Sequence, residues 1–356
     1  MSPKPRDVVD AGIAAARRAA RPWEYGVEDF FEPVERLRRL AAALFGTPDD
    51  PEAVAIVPAV SYGIGVAVEN LPLEAGDEIV VLDEQFPSNV YPWREAARRV
   101  GARLRTVVRD DGRSWAEAIL GAIGPQTAVV AVPQVHWTDG SVVDLAVVGE
   151  AARRVGAALV VDATQSLGAV PFPIDDAQPD FVVAAGYKWL FGPYGLGYLW
   201  VAPHHRDGRP LEQGWIAREG AADFSRLVDY TDRFEAGAGR YDVGERSNFV
   251  LVPMAIAALE LVTGWGVVEV AATLADLTAV IAEEAAARGL EVPEPADRAP
   301  HIVGLRAPGG FPDDLGAELA ARGVYVSIRG DAIRVSPHLY NDVEDVARFF
   351  AVLDAV

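Results

Sequence analysis

From Ala53 onward the chain carries short apolar runs that end abruptly at polar residues: AVAIVPA, EIVVLDE, RLRTVVR, TAVVAVPQV, ALVVDAT, FVVAAG and GLGYLWVA. Each is too short for a buried helix, so seven strands are predicted. Helix-like stretches such as YPWREAARRVGA and VVGEAARRVGA separate most of them. That alternation predicts an α/β fold with a mostly parallel seven-stranded sheet flanked by helices. GLGYLWVA follows FVVAAG after a turn too short for a crossover, so this strand is expected to be antiparallel.

The pattern differs at the two ends of the chain. Residues 1–45 have apolar positions recurring at three and four, in AAARRAAR and FFEPVERLRRLAAALFG, which predicts an N-terminal helical arm packed with the smaller domain. Residues 46–250 form the large α/β domain. From residue 251 the pattern shifts to long helices, MAIAALELVTGW and VVEVAATLADLTAVIAEEAAARG. The strands HIVGLRA, GVYVSI and AIRVSP and a last helix, DVARFFAVLDAV, follow. A smaller α+β domain is predicted over residues 251–356, its boundary resting on this change of pattern.

Composition narrows the class. A chain of 356 residues with 51% apolar residues can bury a sizeable core and fits a globular enzyme rather than a disordered chain. No apolar run is long enough to span a bilayer, and MSPKPRDVVD lacks the apolar core of a signal peptide, so a cytoplasmic location is expected. The absence of cysteine removes disulfides, thiolate metal sites and any cysteine nucleophile of the chain's own. A formal charge of −20 disfavours nucleic acid as a partner, and no membrane partner is expected.

The candidate chemistry clusters in residues 159–197, LVVDATQSLGAVPFPIDDAQPDFVVAAGYKWLFGPYGLG. Two short strands, residues 159–161 and 181–184, lead into Asp162 and Lys188. Ligands of open α/β sheets sit beyond the carboxyl ends of parallel strands, so this acid and this amine can face one pocket. The pair suits pyridoxal 5'-phosphate: a lysine can form a Schiff base with its aldehyde, and a carboxylate can keep its pyridine nitrogen protonated. Asp162 is also readable as a helix cap, and Lys188 as a snorkelling side chain with its head in water. Against the latter, the flanks GYKWLFGPYG are apolar, and burial disfavours a charged amine. Gln165 can donate to the phenolic oxygen of the same cofactor.

Other positions gain meaning only beside that pair. Ser61, where AVAIVPAV gives way to SYGIGVAVENL, reads as an N-cap, and a phosphate could share the helix terminus. Phe86, in QFPSN after a strand, could stack on a flat cofactor or simply pack in the core. His136 and Trp137 follow TAVVAVPQV at the equivalent edge of another strand. His204 and His205 lie in a hydrophilic stretch with no carboxylate at metal-ligand spacing, so no metal is expected. No GxxxxGK[ST] occurs, and GPYGLG has its glycines in the wrong order for GxGxxG.

With these motifs assembled, residues 50–350 resemble fold-type I pyridoxal-phosphate enzymes of the class V aminotransferase group, which includes cysteine desulfurase-like, selenocysteine lyase, kynureninase and isopenicillin epimerase-like proteins. VVDATQSLG and AAGYKWLFGPYG carry the resemblance most specifically. It implies that Lys188 is the Schiff-base lysine, Asp162 the pyridine partner and Gln165 the donor to the cofactor's O3'. It puts Tyr187 at the phosphate, AVSYG with Val60 and Ser61 in the phosphate loop, Phe86 against the ring and His136 at the cofactor. Arg334, in IRVSPHLYND, matches the arginine that binds the substrate α-carboxylate, with Trp215 and Asn248 as further substrate-binding positions. Relatives carry Gly-Thr in the loop that reaches the partner subunit's phosphate. Here Gly237-Ala238 and Gly244-Glu245 stand at the candidate places, with Arg246 or Asn248 as substitutes. The opening MSPKP resembles the interior of a family motif that follows a short strand.

The resemblance implies a homodimeric enzyme acting on an α-amino acid, foremost as an aminotransferase. Phe86 within FPSN and Gly214-Trp215 keep a kynureninase-like or C–S lyase as the alternative. A non-catalytic cofactor-binding protein is the third.

Overall fold

The computed structural model describes residues 1–109, 112–329 and 331–355. By contacts the chain divides into two units. The first comprises residues 1–134 and 144–265, and the second residues 135–143 and 266–356.

The first unit begins with α1 (Arg6–Ala19) and α2 (Glu28–Phe45). It then alternates strand and helix through β1 (Val54–Val57), α3 (Val60–Asn70), β2 (Glu78–Leu82), α4 (Tyr91–Val100), β3 (Arg103–Val107) and α5 (Trp115–Leu120). Next come β4 (Thr127–Pro133), α6 (Leu145–Val155), β5 (Ala158–Asp162), α7 (Ile174–Ala177), β6 (Phe181–Ala185), β7 (Gly197–Val201) and α8 (Leu251–Trp265). The strand order is β1-β7-β6-β5-β4-β2-β3. The β6, β5, β4, β2 and β3 strands pair in parallel, and β7 is antiparallel to both its neighbours, as expected from the short β6–β7 connection.

Helices flank the sheet, which explains why its strands read as unbroken apolar runs: the interior strands β6 and β7, and the edge strand β1 as well, are buried at every position. Helices end where the sequence supplies a left-handed residue. Gly101 after α4 (φ 83°) and Gly156 after α6 (φ 78°) take conformations that a Cβ would disfavour. At its other end α6 is capped by Asp144, whose carboxylate accepts from the Ala146 and Val147 amides.

The second unit contains α9 (Val267–Ala287), β8 (Val303–Arg306), α10 (Leu315–Ala321), β9 (Ser327–Arg329), β10 (Ala332–Val335) and α11 (Val343–Leu353). Its three strands form an antiparallel sheet in the order β8-β10-β9, packed on a core that includes Ile281, Leu305, Leu319, Ile333 and Phe350. The stretch read as the last helix runs to Val356, which lies outside the described residues.

Three expectations about domains need correction. The division falls after Trp265 rather than at residue 250, because α8 packs on α1 and α2. The N-terminal arm accordingly belongs to the first unit, not with the smaller one. The hairpin-like segment 135–143 leaves the large domain and joins the second unit. Its turn needs Gly140: φ is 79°, and a Cβ there would meet the Ile302 carbonyl oxygen at 2.5 Å.

Candidate active site

The carboxyl ends of the parallel strands carry the candidate residues. Asp162 is the last residue of β5, and Lys188 lies three residues past β6, in the connection from β6 to β7. Because that connection joins antiparallel neighbours, it must lie at the carboxyl end of β6, beside Asp162. Phe86 stands four residues past β2 at the same edge. Its ring centre is 5.1 Å from Lys188 Nζ, within reach of a cation–π contact.

Asp162 is 6% exposed. Burial pushes its carboxyl above the usual range, while hydrogen bonds from Thr164 and the Lys188 charge act the other way. The Thr164 amide donates to Asp162 Oδ1 at 3.0 Å. The hydroxyl of Thr164 accepts from the Ala185 amide at 3.1 Å, and the Ala163 amide donates to the Val183 carbonyl at 2.8 Å. Those two bonds lock the end of β5 to the end of β6. Gln165 Oε1 accepts from Trp189 Nε1 at 3.1 Å, which orients the amide with Nε2 as its donor end.

The lysine turn is held rigidly. Trp189, Leu190 and Phe191 are buried, and the Gly192 amide donates to the Gly186 carbonyl at 2.7 Å, closing the loop on itself. Phe191 takes φ 54°, a left-handed conformation that costs a bulky residue about 1–2 kcal/mol and survives only because its surroundings fix it. Ser2 and Lys4 add an outer brace that sequence reasoning did not find. The Ser2 hydroxyl donates to the Lys188 carbonyl at 2.7 Å, and Lys4 Nζ donates to the Gly192 carbonyl at 2.5 Å. Their position in MSPKP gives no local sign of a contact 186 residues away.

Tyr187 is half-buried, its ring 4.6 Å from that of Tyr194. Burial, and then the charges of Tyr194 and Asp162, push its phenol up, so it remains a proton donor at neutral pH.

A buried carboxylate, an amine, an aromatic ring and a phenol donor at one strand edge fit pyridoxal phosphate. The carboxylate that burial strains would gain a protonated ring nitrogen as its partner. The aminotransferase class-V family model matches residues 2–349. The chain belongs to that family. An uncharacterized aminotransferase, YcbU, of Bacillus subtilis is 28% identical, with 90% of this chain and 82% of that one covered. Isopenicillin N epimerase of Amycolatopsis lactamdurans is 27% identical over 99% of this chain and 92% of its own. The fold is shared with a mutant of C-DES solved with glycine covalently linked to its pyridoxal-phosphate cofactor. There the TM-score is 0.88 at 20% identity, covering 99% and 94% of the two chains.

Several residues assigned through the family sit otherwise than expected. Ser61 is not the N-cap. Helix α3 starts at Val60, the cap is Ala59 with no side-chain bond, and Ser61 is exposed within the first turn. It therefore sits in the first turn of the helix and does not cap it. Val60 is buried in the core. Asn248 caps α8, its Oδ1 accepting from the Val250 and Leu251 amides at 3.1 and 2.9 Å. It also lines a mostly apolar cavity of about 330 Å³ among α1, α2 and α8, to which neither Asp162 nor Lys188 contributes. Trp215, 41% exposed, meets Phe30 and Phe224 edge-on, at ring-centre distances of 6.2 and 5.7 Å.

Arg246 is committed inside the fold. It donates to Asp242 Oδ2 at 2.6 Å, and Arg38 grips the same carboxylate through both Nη atoms. The Ile56 amide adds a bond of 2.7 Å to Oδ1. This buried Arg38–Asp242–Arg246 group ties α2, β1 and the segment before α8 together. Gly237 and Ala238 begin the turn that presents it, and Gly244 donates to Glu212. Glu245 is exposed.

In the second unit, His136 Nδ1 lies 2.7 Å from the Thr138 hydroxyl, and the Asp139 carboxylate is 3.9 Å away. Arg334 lies on β10 opposite Gly304, and its Nη1 donates to the Trp137 carbonyl at 2.5 Å. Arg329, on the same sheet face, places its guanidinium 5.3 Å from the Trp137 ring centre. Among the described residues neither arginine has an ion-pair partner, and the Nε atom of each is buried without a hydrogen bond. Burial, reinforced by the like charge of Arg329, pulls the Arg334 guanidinium down to about 10.

One histidine expectation is overturned. His204 and His205 form a tight turn with Pro203, and both Nε2 atoms approach Asp180 Oδ1, at 3.0 and 2.9 Å. A carboxylate does stand at ligand distance from the pair.

Proposed function

We propose that this chain is a pyridoxal-phosphate-dependent aminotransferase acting on an α-amino acid, with Lys188 as the residue that carries the cofactor. The convergence of Lys188, Asp162 and Phe86 at the carboxyl edge of one sheet, in a member of the class-V family, carries the proposal. The bound cofactor supplies an electron-withdrawing ring that stabilises negative charge at the substrate's α carbon.

The chain's own residues do the rest. Asp162 holds the ring nitrogen protonated. Phe86 covers one ring face and excludes water from it. Gln165 Nε2 and the Tyr187 hydroxyl act as donors to oxygens of the cofactor, and the first turn of α3 with Ser61 takes its phosphate. The Lys188 amine would move the substrate's α proton as a general base. Arg334 binds the α-carboxylate through a two-pronged guanidinium, a role supported by its buried, unpaired Nε and the absence of any acidic neighbour competing for it among the described residues. We take the working form to be a homodimer, following the family resemblance.

Side-chain cleavage is the second reading, favoured by Phe86, the ring-facing residue of kynureninase-like relatives, lying against Lys188. Incubating the holoenzyme with single amino acids separates the two. A 2-oxo acid that keeps the donor's side chain, formed in an amount matching the enzyme, is the expected product. Repeated turnover releasing a side-chain fragment would establish the lyase instead, and no product from any amino acid would leave a binding protein.

A further inference from the structure

The opposite edge of the sheet carries a second built cluster. Asp180 stands immediately before β6 and is fastened on three sides. Its amide donates to the Leu159 carbonyl at 2.8 Å, its carbonyl accepts from the Ala202 amide at 2.9 Å, and its Oδ2 accepts from the Leu159 amide at 2.8 Å. Only Oδ1 faces outward, and there it meets His204 Nε2 and His205 Nε2. His205 is mostly buried and stacks on Phe181, ring centres 4.9 Å apart, while His204 is 67% exposed at its side chain. The next residue, Arg206, is turned away onto Asp50 at 2.6 Å, so its charge does not compete for the cluster.

We propose that Asp180, His204 and His205 form a binding site for a divalent transition-metal ion of the zinc or nickel class. Two imidazoles and one carboxylate make a mixed nitrogen–oxygen donor set that such ions accept. Metal–ligand bonds of about 2.0–2.1 Å put neighbouring donor atoms roughly 3 Å apart. The separations of 3.0 and 2.9 Å already match, and all three donor atoms lie within 4.8 Å of one another. A small swing of the exposed His204 ring closes the remaining edge. Water fills the other positions, because His204 faces solvent. The Leu159 amide on Oδ2 orients the carboxylate as an outer partner of a metal ligand does.

Function follows from place. Leu159 belongs to β5, Asp180 leads into β6, and the two histidines follow β7, so the ion clips three adjacent strands at the edge away from Lys188. Its role is structural, and the large negative charge of the chain favours a cation there.

The test uses the untagged holoenzyme titrated with zinc chloride by calorimetry, followed by thermal unfolding. One ion per chain is expected, with Tm raised by about 5 °C at a hundredfold excess over Kd. His204→Ala, a change at an exposed ring that leaves the core intact, should weaken binding at least about tenfold and remove the Tm rise. His204→Gln, which keeps a hydrogen bond to Asp180 but is a poor metal ligand, should behave the same way. Absence of saturable uptake would overturn the site, and so would uptake equally strong in both variants.

Discussion

Lys188 Nζ lies 5.1 Å from the centre of the Phe86 ring, although 102 residues separate the two along the chain. The contact exists because the β2 and β6 strands are parallel members of one sheet and both side chains follow strand ends. Borohydride reduction of the holoenzyme should fix the cofactor on the peptide containing Lys188, as peptide mass analysis will show; label on Lys4 would refute the assignment. Phe86→Ala should weaken cofactor affinity by up to about tenfold, the worth of one ring contact, measured by equilibrium dialysis.

Asp162 gives a pH signature in the absence of cofactor. Burial raises its folded-state pKa above that of the unfolded chain, so the folded protein binds the extra proton. The stability of the cofactor-free protein then falls as pH climbs from the ordinary carboxylate range through the raised native value. Asp162→Asn carries no such penalty. It should unfold at a higher temperature than the cofactor-free wild type at neutral pH, the difference shrinking on acidification. In the loaded enzyme the same variant should lose at least about a hundredfold in turnover, because the ring nitrogen loses its ionic partner. A variant of unaltered turnover would reduce Asp162 to a turn-forming residue.

Arg334 and Arg329 present two guanidinium groups on one face of the smaller sheet, and among the described residues neither has an ion-pair partner. Arg334→Lys keeps a charge but loses the two-pronged geometry, and should raise KM for an α-amino acid by about tenfold. Steady-state kinetics that show no change, with amines lacking a carboxylate used equally well, would remove both the residue and the substrate class.

The Arg38–Asp242–Arg246 group predicts a stability effect with no direct chemistry. Burial opposes the Arg38 charge, but Asp242 outweighs it and the guanidinium is held well above its usual value. Asp242→Ala leaves two buried cations facing each other and should cost about 3–5 kcal/mol, read as a lowered urea midpoint. Arg38→Met and Arg246→Met combined with Asp242→Leu, which removes all three buried charges, should recover much of the loss. If Asp242→Ala unfolds at the wild-type midpoint, the group contributes nothing.

The sequence by itself determined the strands, the helices between them and the polar residues that end them. Those features are local: an apolar run stopping at Asp162, or a lysine within GYKWLFGPYG, is written in consecutive residues. The antiparallel β7 was legible for the same reason, since a short connection excludes a crossover. What only the tertiary structure decided is where distant side chains meet. Ser2 braces the lysine turn, Asp242 gathers Arg38 and Arg246, Asp180 receives His204 and His205, and α8 belongs with the N-terminal arm. Even the Ser61 expectation failed by two residues, because helix onset depends on backbone angles at Ala59 that its side chain does not encode. Periodicity and turn chemistry act over a few residues and survive in the sequence. Ion pairs, caps and unit boundaries depend on which surfaces the folded backbone brings together.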